Sequence, residues 1–153
     1  EPYRRQRQMC IRDRYIKGGS AMKKILVPLD GSERSLHSVE LVKELYHPDD
    51  IELTLMYVKE DAQLFIDEKS FAEAEREMQG VVCPAVQKLE GYKINCEVGF
   101  VDPGKEIIKC ATVNNTDIII MTKSTKKGLT RMIGSVTSYV VKHTPCIVMI
   151  VPE

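Results

Sequence analysis

Short apolar runs alternate along this chain with longer stretches in which apolar positions recur every three or four residues. KILVPL, residues 24–29, has the length and continuous apolarity of a buried strand. Asp30, Gly31 and Ser32 then signal a turn, with Ser32 as a helix N-cap. Over residues 33–46, Leu36, Val39, Leu41, Val42, Leu45 and Tyr46 make one stripe, which predicts an amphipathic helix ended by His47, Pro48, Asp49 and Asp50. IELTLMYV, 51–58, predicts a second strand. A loop or short helix follows, and then a helix over about 71–89, bent at Gly80 or Pro84. Residues 93–101 predict a third strand. Pro103 suits the first position of the next helix, whose apolar face is Ile107, Ile108, Ala111 and Val113; Asn114 and Asn115 close it. A strand at 117–121, a helix at 135–142 and a strand at 146–151 complete the chain.

Strands that are short, apolar and separated by helices indicate a parallel sheet covered on both faces. Right-handed crossovers leave few topologies. In such sheets ligands sit beyond the carboxyl ends of the strands, where the winding reverses. With the first strand central, that place lies between the first and fourth strands, at Asp30–Ser32 and at residues 122–137.

Composition adds bounds. The chain has 153 residues, enough for one core, with 43% hydrophobic and 29% charged residues. No apolar run approaches the ~20 residues that span a bilayer, so no membrane association is expected. Residues 1–21 carry a net charge of +4 and the remainder −4. A mildly acidic domain gives no electrostatic reason to expect nucleic acid as a partner. The first segment, EPYRRQRQMCIRDRYIKGGSA, has no periodic apolar face and no signal-peptide core. We expect it to be a non-native or disordered tail, or alternatively a basic arm, and place the domain at 22–153. The five cysteines fit neither a zinc nor a disulfide framework. Those at 83, 96, 110 and 146 lie among apolar residues and read as small hydrophobes in a reducing, cytoplasmic setting.

Three features at the expected carboxyl edge carry chemistry. In VPLDGS, 27–32, the Asp30 carboxylate can accept hydrogen bonds from a ribose or a base amine; equally, Asp30 and Ser32 can simply make a turn and cap. In Gly134-Ser135-Val136-Thr137, a helix N-terminus offers backbone N–H groups to an anion; equally, it is a plain Gly-Ser cap. The loop from Lys123 to Arg131 holds four cations, suited to phosphates or to a solvated surface.

Taken in order, VPLDGSERS, VDPGKEI, IIIMTKS, GLTRMIGSVTSYVVKHTPC and IVMIVP resemble the universal stress protein family over residues 22–152. The resemblance implies a flavodoxin-like α/β fold with a five-stranded parallel sheet in the order 3-2-1-4-5. It implies, in one branch of the family, ATP or a related adenine nucleotide. Asp30 would face the ribose and adenine, and Val58 would meet the adenine through its backbone. Met121 and Thr122 would line the pocket, and Gly134, Ser135, Val136 and Thr137 would hold phosphates. It also implies a homodimer through the last strand, from Cys146 to Val151, whose apolar edge otherwise stands unpaired. One departure stands out. The family's ATP-binding pattern is Gly, two residues, Gly, nine residues, Gly, then Ser or Thr. Here Thr122 and Thr125 occupy the first two glycine places, and only eight residues precede Gly134. Threonine favours neither positive φ nor close phosphate approach.

Enzymatic signatures are missing from the sequence. His37, His47 and His143 are scattered, with no spacing of a metal set or triad; His143 suits a helix C-terminal cap. There is no Gly-x-Ser-x-Gly and no Walker motif. The expected function is a non-catalytic, cytoplasmic stress-response module that binds adenine nucleotide. The alternatives are a nucleotide-free dimeric adaptor and an enzyme of similar winding, either electron-transfer-flavoprotein-like or adenylating.

Overall fold

A computed structural model of the chain describes residues 22–61, 67–123 and 134–152. The strands are β1 (Lys23–Leu29), β2 (Ile51–Lys59), β3 (Lys93–Phe100), β4 (Ile118–Thr122) and β5 (Ile147–Val151). The helices are α1 (Leu36–Leu45), α2 (Glu68–Lys88), α3 (Pro103–Val113) and α4 (Ser135–His143), with a 3-10 turn at Pro48–Asp50. All strands are parallel, in the order β3-β2-β1-β4-β5. This is the flavodoxin-like three-layer architecture expected from the sequence.

The register explains why strand runs are apolar on both sides. Ile25, Val27 and Leu29 of β1 join Leu53 and Leu55 of β2 in one core cluster, with Val39 and Val42 of α1 and Val82 and Ala85 of α2. Leu26 and Met56 belong to the other face, with Ile119 and Met121 of β4, Ile107 and Ala111 of α3 and Val140 of α4. A central strand buried on both faces has no solvent side to make polar.

Helix starts follow their caps. The Asp67 carboxylate accepts from the Ser70 backbone N–H (2.8 Å) and hydroxyl (2.6 Å), which starts α2 three residues before the expected Phe71. Pro84 lies inside α2, which continues to Lys88. Asp102 accepts from the Lys105 N–H at 3.1 Å and caps α3, with Pro103 in the first turn as expected. Ser32 does not cap α1 directly. Residues 33–35 form a tight turn first, and the Ser32 hydroxyl accepts from Ser35 N–H at 3.2 Å. At the other end of α4, His143 Nδ1 lies 2.9 Å from the Tyr139 carbonyl oxygen, one turn back. Two of the cysteines expected in the interior, Cys83 and Cys96, are exposed. Cys96 sits on β3, an edge strand whose residues from Asn95 to Glu97 are all exposed.

Helix–helix closeness on the second face depends on Gly104. A Cβ there would come within 2.8 Å of the Tyr139 ring. The glycine of VDPGKEI therefore lets α3 lie against α4 and brings both N-termini to the same edge of the sheet.

Candidate functional site: a cleft at the carboxyl edge

The ends of β1, β2 and β4 and the starts of α3 and α4 enclose a cleft of about 110 Å³. It lies where the winding reverses between β1 and β4. Asp30, Val58, Met121, Thr122 and Val136 line it, five of the eight residues singled out from the sequence. The other three, Gly134, Ser135 and Thr137, flank Val136 on the chain. Gly134 is the N-cap of α4, Ser135 is exposed, and Thr137 is fully buried. The Thr137 hydroxyl has no hydrogen-bond partner among the described residues. Of the basic loop only Lys123 is described; Thr125, Lys126, Lys127, Gly128 and Arg131 lie outside the described residues.

Asp30 makes the turn that its sequence context allows and also lines the cleft. Its Oδ1 accepts from the Ser32 N–H at 2.9 Å and from the Ser32 hydroxyl at 2.6 Å, the expected turn. Gly31 makes that turn with φ of 83°, a left-handed value that glycine adopts without strain. Asp30 is itself exposed and lines the cleft, so its carboxylate is held in place at the rim.

Several lining residues were not singled out from the sequence. Glu60 follows β2, Ser35 precedes α1, and Pro103 and Ile107 come from α3. Pro103 carried a visible signal, since VDPGKEI places it at a helix start. Glu60 carried none, because a single acid after a strand is commonplace.

The rim between β2 and α3 is braced. The Lys59 ammonium bonds Glu77 Oε1 at 2.6 Å and lies 3.4 Å from Asp61, while Tyr57 OH donates to Glu77 Oε2 at 3.1 Å. The Lys59 hydrogen bond holds the Glu77 carboxyl below its usual range, and the same bond raises Lys59. The Lys59 carbonyl in turn accepts from Val101 N–H at 2.9 Å. Val101 has φ of 72°, and Asp102 N–H bonds back to Phe100 O at 2.9 Å, closing a three-residue turn. A β-branched residue in this region is strained. The strain sits between two segments that line the cleft, ending at Glu60 and beginning at Pro103.

Apolar walls, one fixed carboxylate and a helix N-terminus suit a ligand with a flat apolar part, hydroxyls and an anionic end.

Comparison with known proteins agrees with the fold. The model of the universal stress protein family matches residues 22–152. Universal stress protein MJ0531 of Methanocaldococcus jannaschii is 32% identical over 150 residues, covering 89% of this chain and 85% of that protein. The solved structure of hypothetical protein MJ0577 is 29% identical, with a TM-score of 0.64 over 86% of this chain and 96% of that one. A universal stress family protein from Arabidopsis thaliana with AMP bound is 19% identical, with a TM-score of 0.63 over 86% and 91% of the two chains, and shares the fold. On the family match and the relative's identity and coverage together, the chain belongs to the universal stress protein family.

Proposed function

We propose that the chain is an adenine-nucleotide-binding module, non-catalytic and cytoplasmic, acting in a stress response. The observation that carries this reading is the convergence of Asp30, Val58, Met121, Thr122 and Val136 on one cleft at the β1/β4 reversal, beside the N-terminus of α4. Val58 and Met121 wall the base, Asp30 accepts from the ribose, and Gly134, Ser135, Val136 and Thr137 receive phosphate. Proteins of the same fold support the ligand class: besides the AMP complex, others are held with cAMP and with dAMP. ATP is the finer form of the reading. Threonine at 122 and 125 disfavours the positive φ and the close phosphate approach that glycine allows.

Calorimetry on the full chain tests this with ATP and AMP in parallel. The expected result is saturable heat with one or both, weakened in Asp30→Ala. No heat from either at millimolar ligand removes the reading.

A second reading, a nucleotide-free dimeric adaptor, draws on β5. It is an edge strand, and its Ile147 and Ile150 are exposed. Pairing with the same strand of a second copy would cover that edge, making a homodimer through residues 146–151. Sedimentation at micromolar concentration tests it: dimer for the parent chain, monomer for Ile150→Lys. A parent chain that sediments only as monomer removes the dimer.

A further inference from the structure

The amino edge of the sheet carries a second concavity, at the opposite end from the cleft. Its volume is about 380 Å³, within the range of small-molecule sites. Lys24, Glu52, Thr54, Asn95, Glu97 and Thr116 line it. It arises from a mismatch of lengths. The nine residues of β2 span roughly 30 Å, whereas the eleven of α3 span only about 16 Å. Since α3 starts at the carboxyl edge, the amino ends of β2 and β3 on that face are left without a helix above them.

The lining offers hydroxyls to a ligand. Thr54 and Thr116 are only 8% and 5% exposed, and both line the concavity. Neither hydroxyl is among the fully buried atoms that lack a partner, so both are open to water or to a ligand within the groove.

The charges are also unequal. Glu52 is matched, by Asn95 Nδ2 at 3.1 Å and the Lys93 ammonium at 3.4 Å. The Lys24 ammonium donates to the Asn114 carbonyl, the last turn of α3, at 3.3 Å. Glu97 has no cation within ion-pair distance among the described residues. Its charge adds to burial in raising the thiols of Cys96 and Cys110. Helix C-termini also favour cations, and α3 ends here at Asn114.

We propose that this groove binds a small polar organic cation, a hydroxyl-bearing primary amine. The ammonium pairs with Glu97, and the hydroxyls exchange hydrogen bonds with Thr54 and Thr116. This site is separate from the nucleotide cleft and stands or falls without it.

Glucosamine is the probe and glucose its uncharged counterpart, each titrated into the full isotope-labelled chain at mildly acidic pH, where the amine is protonated. The expected result is saturable amide shifts at Thr54, Asn95 and Thr116 with glucosamine and none with glucose. Glu97→Gln weakens binding by about tenfold or more, the worth of a charged hydrogen bond. Glu97 is exposed, so the variant keeps its fold. Thr54→Val weakens binding without lowering stability. The proposal is overturned by equal shifts with glucose, by no saturable shift at millimolar glucosamine, or by undiminished binding in both variants.

Discussion

The two rims of the sheet are built from the same strands yet differ in kind. At the carboxyl rim the chain leaves each strand into a helix start, so N-caps collect there: Asp102 for α3 and Gly134 for α4. The concavity they enclose is small and mostly apolar-walled. At the amino rim the chain returns from helix ends, and the concavity is larger and lined by acids, amides and threonines. A parallel sheet with helical crossovers thus acquires polarity from its topology alone. The rim of helix starts favours anions and the rim of helix ends favours cations. The packing demands differ too, and substitutions can expose that difference.

The largest contrast is between Ile107 and Thr54. Ile107 is 2% exposed and forms part of the cleft while packing in the second core cluster. Ile107→Ala should destabilise the chain by about 2–5 kcal/mol, as lost transfer energy plus a cavity. Thr54→Val removes a hydroxyl that lines the groove and keeps the shape. It should leave stability unchanged or slightly raised. Urea unfolding of both variants checks this. Equal losses would mean that the amino rim is packed as tightly as the carboxyl rim.

Next comes Gly104→Ala, expected to cost about 1–3 kcal/mol through overpacking, because the added methyl meets the Tyr139 ring. Gly80→Ala in α2 is its control, since a Cβ there meets nothing within 4 Å. It should gain about 0.5–1 kcal/mol from helix propensity. Smaller again is Val101→Gly. Relieving the left-handed φ returns roughly 1–2 kcal/mol, and glycine's extra chain entropy takes back about 0.5–1 kcal/mol. The expected net is a stabilisation of up to about 1 kcal/mol, read as a raised melting temperature. A drop would mean that the Val101 side chain makes contacts worth more than the strain.

Most of the scaffold was legible in the sequence because buried parallel strands and amphipathic helices write two different periods. VPLDGS and VDPGKEI placed Asp30 and Pro103 at the right rim for the same reason: turn residues must follow a strand. Other features left no such mark. The tight turn at 33–35 has helix-like composition, and the Asp67 cap was hidden in a polar stretch. Val101 reads as the last residue of a strand, yet β3 ends at Phe100 and Val101 turns left-handed. Exposure of Cys96 follows from the place of β3 at the edge of the sheet, which local apolarity does not reveal. The groove at the amino rim was invisible because it depends on the length of α3 against that of β2.

The finest distinction is in acid sensitivity. Glu77 at the carboxyl rim is held below its ordinary 4.5 by its hydrogen bond from Lys59, and Glu52 at the amino rim by that from Asn95, with Lys93 adding to it. A carboxyl whose folded pKa is depressed contributes stability above its unfolded value, and this is lost as pH falls through the folded value. Both acids therefore weaken the fold on acidification below 4.5. The raised Lys59 acts at the other end: its contribution is complete below 10.5 and fades as pH rises through its folded value. The pairs differ in screening, because the Lys59 side chain is 11% exposed and that of Lys93 is 61%. Water and salt screen the second pair more. Melting temperatures followed from neutral pH downward should fall for the parent chain. That acid limb should flatten more in Glu77→Gln than in Glu52→Gln, and added salt should shrink the Glu52 effect first. The reverse order would place the stronger electrostatic lock at the amino rim.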